Sequence, residues 1–206
     1  MKYDKIMDLF PTHLYIDKIN NPLIVQQKQY LLNIPKILNM GNLRSENGYI
    51  FEHPLFLELK NSINQHINDY IQIIYPGSNI NVYITQSWAN YTEPNQYHHK
   101  HTHPNSFISG VFYINAIKNE DMIKFYKDLP FVYQINHNQS NNYNSSDVAI
   151  FVESNDLILF PSNFSHSVPP TTSKEIRISI AFNTFIKGNI GNEERSEEHT
   201  SELQSH

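Results

Sequence analysis

Four histidines, His98, His99, His101 and His103, fall within six consecutive residues of the stretch QYHHKHTHPNSF, and His166 stands alone far downstream in PSNFSHSVPP. His101 and His103 are two apart on a segment entering a strand-like run, so an extended backbone turns both imidazoles to one face. Two imidazoles on one face, joined by a third from a remote strand, make a three-sided metal site with coordination positions left open for substrate or oxygen. His166 sits where a turn returns the chain from one strand to the next, and is the natural third ligand. His98 and His99 read as solvated loop histidines. His99 and His101 nevertheless share the same spacing, so His99 can also stand in for His101 or His103.

Arg177 opens the run RISIAF, where it shares a face with Ser179 while Ile176 and Ile178 take the other. That face is expected to be the interior of a barrel. A buried guanidinium is costly unless an anion meets it. Beside a metal, it suits a dicarboxylate that chelates the ion at one end and pairs with the Arg fork at the other. The alternative partner is an internal Asp or Glu.

The elements that must position these groups follow from periodicity. Residues 6–19 alternate loosely and predict an edge strand broken near Pro11. Pro22–Asn39 predicts an amphipathic helix interrupted at Pro35. Gly41–Gly48 is expected to be a loop. After His53-Pro54, Leu55, Leu59, Ile63, Ile67 and Ile71 recur every fourth residue and predict a helix stopping at Pro76-Gly77. From Asn81 the period becomes two, predicting strands over Val82–Tyr91, Phe107–Ile117, Ala149–Val152, Leu157–Phe160 and Ile176–Phe185. Asn119–Asp147 is polar and reads as one long surface loop of the kind that sits over binding sites. Helices followed by many short strands predict a mainly β fold, a double-stranded β-helix or cupin-like jelly roll with flanking helices.

With the motifs in view, the chain resembles the 2-oxoglutarate/Fe(II)-dependent oxygenases, and within them a branch of marine bacteria and cyanophages. The residues carrying the likeness are LFP (Leu9 to Pro11), Trp88-Ala89-Asn90, H-x-H-P-x-S-x-x-S-G-V-x-Y (His101 to Tyr113), FPSNFSHSVP (Phe160 to Pro169) and Arg177-Ile178-Ser179. The resemblance implies that His101, His103 and His166 hold Fe(II), with no catalytic side chain beyond these ligands. It implies that Arg177, assisted by Ser179, grips the distal carboxylate of the co-substrate 2-oxoglutarate. Tyr113, Tyr91 and Asn90 are further co-substrate contacts on the same grounds. The implied activity is dioxygenase chemistry: O2 and 2-oxoglutarate consumed, succinate released and a prime substrate hydroxylated, that substrate being an unknown small molecule or a prolyl or other peptidyl group. His103 stands where the wider superfamily carries Asp or Glu. The ligand set is then neutral, and imidazole-only sets also suit Zn, Cu or Ni.

Composition bounds the alternatives. The chain of 206 residues carries a net charge of −5 and no Lys/Arg cluster, which argues against nucleic acid or anionic membrane as partner. It has no cysteine, and no apolar run approaches the ~18 residues that cross a bilayer. A cytoplasmic protein, bacterial or in a phage-infected host, is the expectation. Arg195–His206 (RSEEHTSELQSH) reads as an in-frame translation of a sequencing-library adapter, so one oxygenase domain is expected over residues 1–194 and no role for the tail. Two rivals remain: a cupin metalloenzyme that does not use 2-oxoglutarate, and a non-catalytic jelly-roll binding module.

Overall fold

The computed structural model describes residue 9 and residues 11–127, 135–188 and 190. Phe10 of the LFP opening and the segment 195–206 lie outside the described residues. Among the described residues, eleven strands and two α-helices follow in the order β1 (Tyr15–Lys18), α1 (Ile24–Asn33), β2 (Lys36–Leu38), β3 (Leu43–Ser45), α2 (Leu57–Ile74), β4 (Asn81–Thr92), β5 (His98–His101), β6 (Ile108–Asn115), β7 (Met122–Tyr126), β8 (Asp147–Phe151), β9 (Asp156–Pro161), β10 (His166–Val168) and β11 (Arg177–Lys187). The strands form a seven-stranded sheet ordered β1-β9-β6-β11-β4-β3-β2 and a four-stranded sheet ordered β5-β10-β7-β8. All ladder pairings are antiparallel. This is the double-stranded β-helix expected from the strand-rich second half.

Each face of the large sheet has its own core. Ile178, Ile180 and Phe182 of β11, Phe112 and Ile114 of β6, and Ala89 and Tyr91 of β4 pack with Ile63, Ile67 and Ile71 of α2. The every-fourth-residue stripe of α2 is what covers that face. Fully burying each such isoleucine contributes ~1.5–3 kcal/mol before chain entropy is counted. On the opposite face, Val111 and Tyr113 of β6 and Ala181 of β11 meet Ile123 and Phe125 of the small sheet. Gly110 lies opposite Phe182 in the β6–β11 ladder, and a Cβ there would stand 2.1 Å from the Phe182 ring. Only glycine permits that approach.

Three expectations are corrected. The first concerns Pro22–Asn39, where the helix ends at Asn33 and Ile34 is already extended at ψ 156°, because the residue before a proline is driven out of the helical region. Beyond Pro35 the chain forms β2, which pairs with β3 inside the expected loop 41–48, Lys36 opposite Ser45. The second concerns Asn119–Asp147, which holds strand β7. Ile123 and Phe125 point inward and are buried while their neighbours face out, a period of two that the surrounding polar residues concealed. The third concerns the opening strand: residues 6–8 and 10 lie outside the described residues, and among those described Tyr15–Lys18 is the strand. It pairs with β9, Tyr15 opposite Leu159.

Candidate metal centre and co-substrate cleft

His101 closes β5 and lies directly opposite His166, the first residue of β10. His103 follows β5, where its backbone N–H donates to the Ser162 carbonyl at 2.9 Å. One side-chain nitrogen from each of His101, His103 and His166 lies within 4.8 Å of the other two. The Nε2 atoms of His101 and His103 are 3.2 Å apart. Two nitrogens held about 2.1 Å from one ion at tetrahedral or octahedral angles would be about 3.0–3.4 Å apart.

The other ring nitrogens explain why these three face inward. His101 Nδ1 meets the His99 carbonyl at 2.8 Å, and His166 Nδ1 meets the Phe164 carbonyl at 3.0 Å. His103 Nδ1 lies 2.6 Å from Asn183 Oδ1 and 2.9 Å from Ser109 Oγ. A carbonyl oxygen can only accept, so each Nδ1 carries the proton and each Nε2 is left with a bare lone pair. Lone pairs facing each other at 3.2 Å repel unless a cation lies between them. Burial favours the same neutral state, holding His103 down to about 4 and His166 well below the ordinary imidazole value. His101 is also lowered, burial opposing its bond to the His99 carbonyl. Three neutral donors with locked tautomers, each backed by an acceptor, could hold a divalent ion.

The cleft beside them runs between the two sheets. Arg177 lines it and is only 3% exposed. Its Nη1 donates to the Met122 carbonyl at 3.0 Å and Nη2 approaches the Tyr113 hydroxyl at 3.5 Å. Its Nε has no partner. Among the described residues no carboxylate forms a salt bridge with Arg177, so the internal Asp or Glu considered as its partner is not there. A buried guanidinium without a counter-charge leaves the requirement for an anion unmet.

Ser179 and Asn90 line the same cleft, and Asn90 Oδ1 is buried without a hydrogen-bond partner. Tyr113 sits fully buried beside Arg177 rather than on the cleft wall, its ring 5.1 Å from the guanidinium carbon. Burial pushes its phenol up to about 12 against the opposing pull of Arg177, so it stays a hydroxyl donor at neutral pH. Tyr91 is a correction. It alternates with Asn90 on β4, points into the helix-covered core and donates to the Leu31 carbonyl at 2.7 Å, so it does not reach the cleft.

Sequence reasoning also missed residues. His98, set aside as a solvated loop histidine, lines the cleft with its ring centroid 4.4 Å from that of His101. Burial and the neighbouring imidazoles lower it to about 3. Asn183 and Ser109, the acceptors behind His103, were not singled out. Their signal was present, since Asn183 shares the alternation of Arg177 and Ser179, and Ser109 lies in the His101–Tyr113 motif.

Residues 86–183 match the family model described as "Putative 2OG-Fe(II) oxygenase". None of the curated proteins matches the chain in sequence. Among solved structures, HygX from Streptomyces hygroscopicus with nickel, 2-oxoglutarate and hygromycin B bound is similar with a TM-score of 0.62 and 10% identity, over 84% of this chain and 82% of that one. The α-ketoglutarate-dependent carbocyclase SnoK from nogalamycin biosynthesis gives a TM-score of 0.59 and 11% identity, over 94% and 87%. A Pseudomonas putida prolyl-4-hydroxylase gives 0.54 and 14%, over 86% and 94%. At such identities the structural likeness is one of fold. Residues 86–183 thus resemble the 2-oxoglutarate/Fe(II)-dependent oxygenases, and the chain shares the fold of enzymes solved with iron, or with nickel and 2-oxoglutarate, bound.

Proposed function

We propose that the chain holds Fe(II) through the Nε2 atoms of His101, His103 and His166 and binds 2-oxoglutarate in the adjoining cleft, oxidising a small-molecule or peptide substrate. The observation that carries this reading is the convergence of three inward lone pairs with a buried Arg177 that has no carboxylate partner among the described residues. Arg177 and Ser179 would hold the distal carboxylate, with the Tyr113 hydroxyl steadying the guanidinium from behind. Asn90 would orient the co-substrate from the β4 side through its unpaired carboxamide.

When bound, the iron supplies oxidation by dioxygen coupled to decarboxylation of 2-oxoglutarate. The chain's own part is to orient and to keep water out. Phe160 and Phe125 pack against His166, with centroids at 4.7 and 5.9 Å, and Trp88 against His103 at 5.7 Å. These rings form an apolar wall behind the ligands. A doubly negative co-substrate balances the charge that three neutral imidazoles leave on a divalent ion.

Among reaction classes, hydroxylation of a prolyl or other peptidyl group has the support of the prolyl-hydroxylase likeness in fold alone. Placement in the marine bacterial and cyanophage branch rests on the motif string from Leu9 to Ser179. A cytoplasmic setting fits the cysteine-free composition. The rival, a three-histidine dioxygenase that needs no 2-oxoglutarate, gives Arg177 no role. Anaerobic binding of Fe(II) and 2-oxoglutarate, followed by succinate release across a panel of peptides, amino acids and small polar molecules, tests the proposal. Metal binding without 2-oxoglutarate binding would favour the rival.

A further inference from the structure

The histidine run contains a second trio. Nitrogens of His98, His99 and His101 also lie within 4.8 Å of one another. Their ring centroids are 4.4 Å apart for His98–His101, 5.0 Å for His99–His101 and 5.1 Å for His98–His99. All three are half-buried, whereas His103 and His166 are 7% and 4% exposed. They lie on β5, an edge strand of the small sheet. This outer trio is therefore the more solvent-accessible of the two groups.

Two of its nitrogens lack a firm partner. His99 Nδ1 is buried with none, an arrangement that costs on the order of 1–3 kcal/mol if nothing ever meets it. His98 Nε2 has only the Asn39 carboxamide nitrogen at 3.3 Å. Turning that amide over exchanges donor for acceptor, moves the imidazole proton to Nε2 and leaves Nδ1 bare. His101 belongs to both trios. Its Nδ1 proton is committed to the His99 carbonyl, so its single remaining lone pair serves one ion at a time.

We propose that His98, His99 and His101 form an outer site for a divalent first-row metal ion, which captures the ion at the sheet edge and passes it inward through the shared His101. A hydrated ion entering a closed pocket must lose several waters at once. A half-open imidazole trio replaces some of them with nitrogen first. Rotation of one ring, His101, then moves the ion from the outer pair of partners to the inner pair. The inference rests on the inner trio being the metal centre.

The test uses the full chain and Co(II) alone, followed by absorbance at equilibrium and in stopped flow. Wild type is expected to bind one Co(II). The His98→Ala/His99→Ala variant is expected to reach the same final spectrum while loading roughly tenfold or more slowly. The His98→Gln/His99→Gln pair, which keeps side-chain bulk, should load equally slowly, guarding against misfolding of the alanine variant. His103→Ala/His166→Ala is expected to keep a Co(II) site weaker by roughly 100-fold, which adding His98→Ala and His99→Ala removes. Unchanged loading rates in both double variants, or two Co(II) per wild-type chain, would overturn the relay and leave the inner centre standing. Wild type that binds no Co(II) overturns the metal-centre reading itself.

Discussion

His101 and His166 are cross-strand partners, the last residue of β5 facing the first of β10, with ring centroids 4.4 Å apart. Backbone pairing, more than side-chain reach, brings them together. His103, two residues on, needs a separate clamp, supplied by Asn183 and Ser109 on the large sheet. The proposed metal centre thus bridges the two sheets.

Removing His166 takes away the ligand that β10 supplies. His166→Ala is expected to weaken Fe(II) binding by roughly 100-fold or more and to abolish iron-dependent succinate formation. Anaerobic Fe(II) titration and succinate assay check both. Wild-type turnover in this variant would remove the proposed centre.

Asn183 acts through His103. Asn183→Leu should lower metal affinity by roughly 10–100-fold, because the imidazole loses the acceptor that fixes its tautomer and angle. Asn183→Asp retains an acceptor oxygen and should restore most of that loss. A Leu variant with unaltered affinity would show that Ser109 alone orients the ring.

At Arg177, binding and stability should part. Arg177→Met is expected to raise the Kd for 2-oxoglutarate by roughly 100-fold, as expected for loss of a charge-assisted fork. The thermal midpoint of the ligand-free protein should fall little or rise, since a buried guanidinium with an unpaired Nε and no counter-charge among the described residues is removed. Calorimetric titration and a melting curve on the same sample separate the two effects.

The metal-free protein should lose stability in mild acid. His98, His103 and His166 have pKa values depressed below the ordinary 6.5 in the folded state, so the unfolded chain takes up protons first as the pH falls. Stability is then full above about pH 6.5 and declines toward pH 4, with a slope on the order of 1 kcal/mol per pH unit for each such histidine. Urea unfolding at pH 7.5 and pH 5.0 measures it. Saturating Co(II) should blunt the decline near neutrality, because bound ligands cannot protonate.

Gly110→Ala should destabilise by about 1–3 kcal/mol or more, because its Cβ collides with the Phe182 ring across the ladder. A urea midpoint checks this. Pairing it with Phe182→Leu should recover part of the loss by opening the space.

Much of this was legible in the linear order of residues. The period-four stripe from Leu59 to Ile71 and the period-two runs of β4, β6, β9 and β11 announce their elements, since each side chain's burial repeats with the backbone's own geometry. The same alternation put Arg177 and Ser179 on one face, and the H-x-H spacing did so for His101 and His103. β7 was harder, being short and set among Asn and Ser. Tyr91 was misjudged because its role was carried over by likeness while its own alternation with Asn90 pointed the other way.

Local rules of spacing and alternation determine which residues of this chain can share a face, and they act over only a few neighbours. Which faces meet is a matter of long-range pairing, such as His101 with His166 across β5 and β10 or Asn183 against His103. Those contacts join residues 65 and 80 positions apart, and no local period encodes them. The place of His98 in the cleft and the lack of a carboxylate at Arg177 among the described residues were likewise decided by the packing of one sheet on the other.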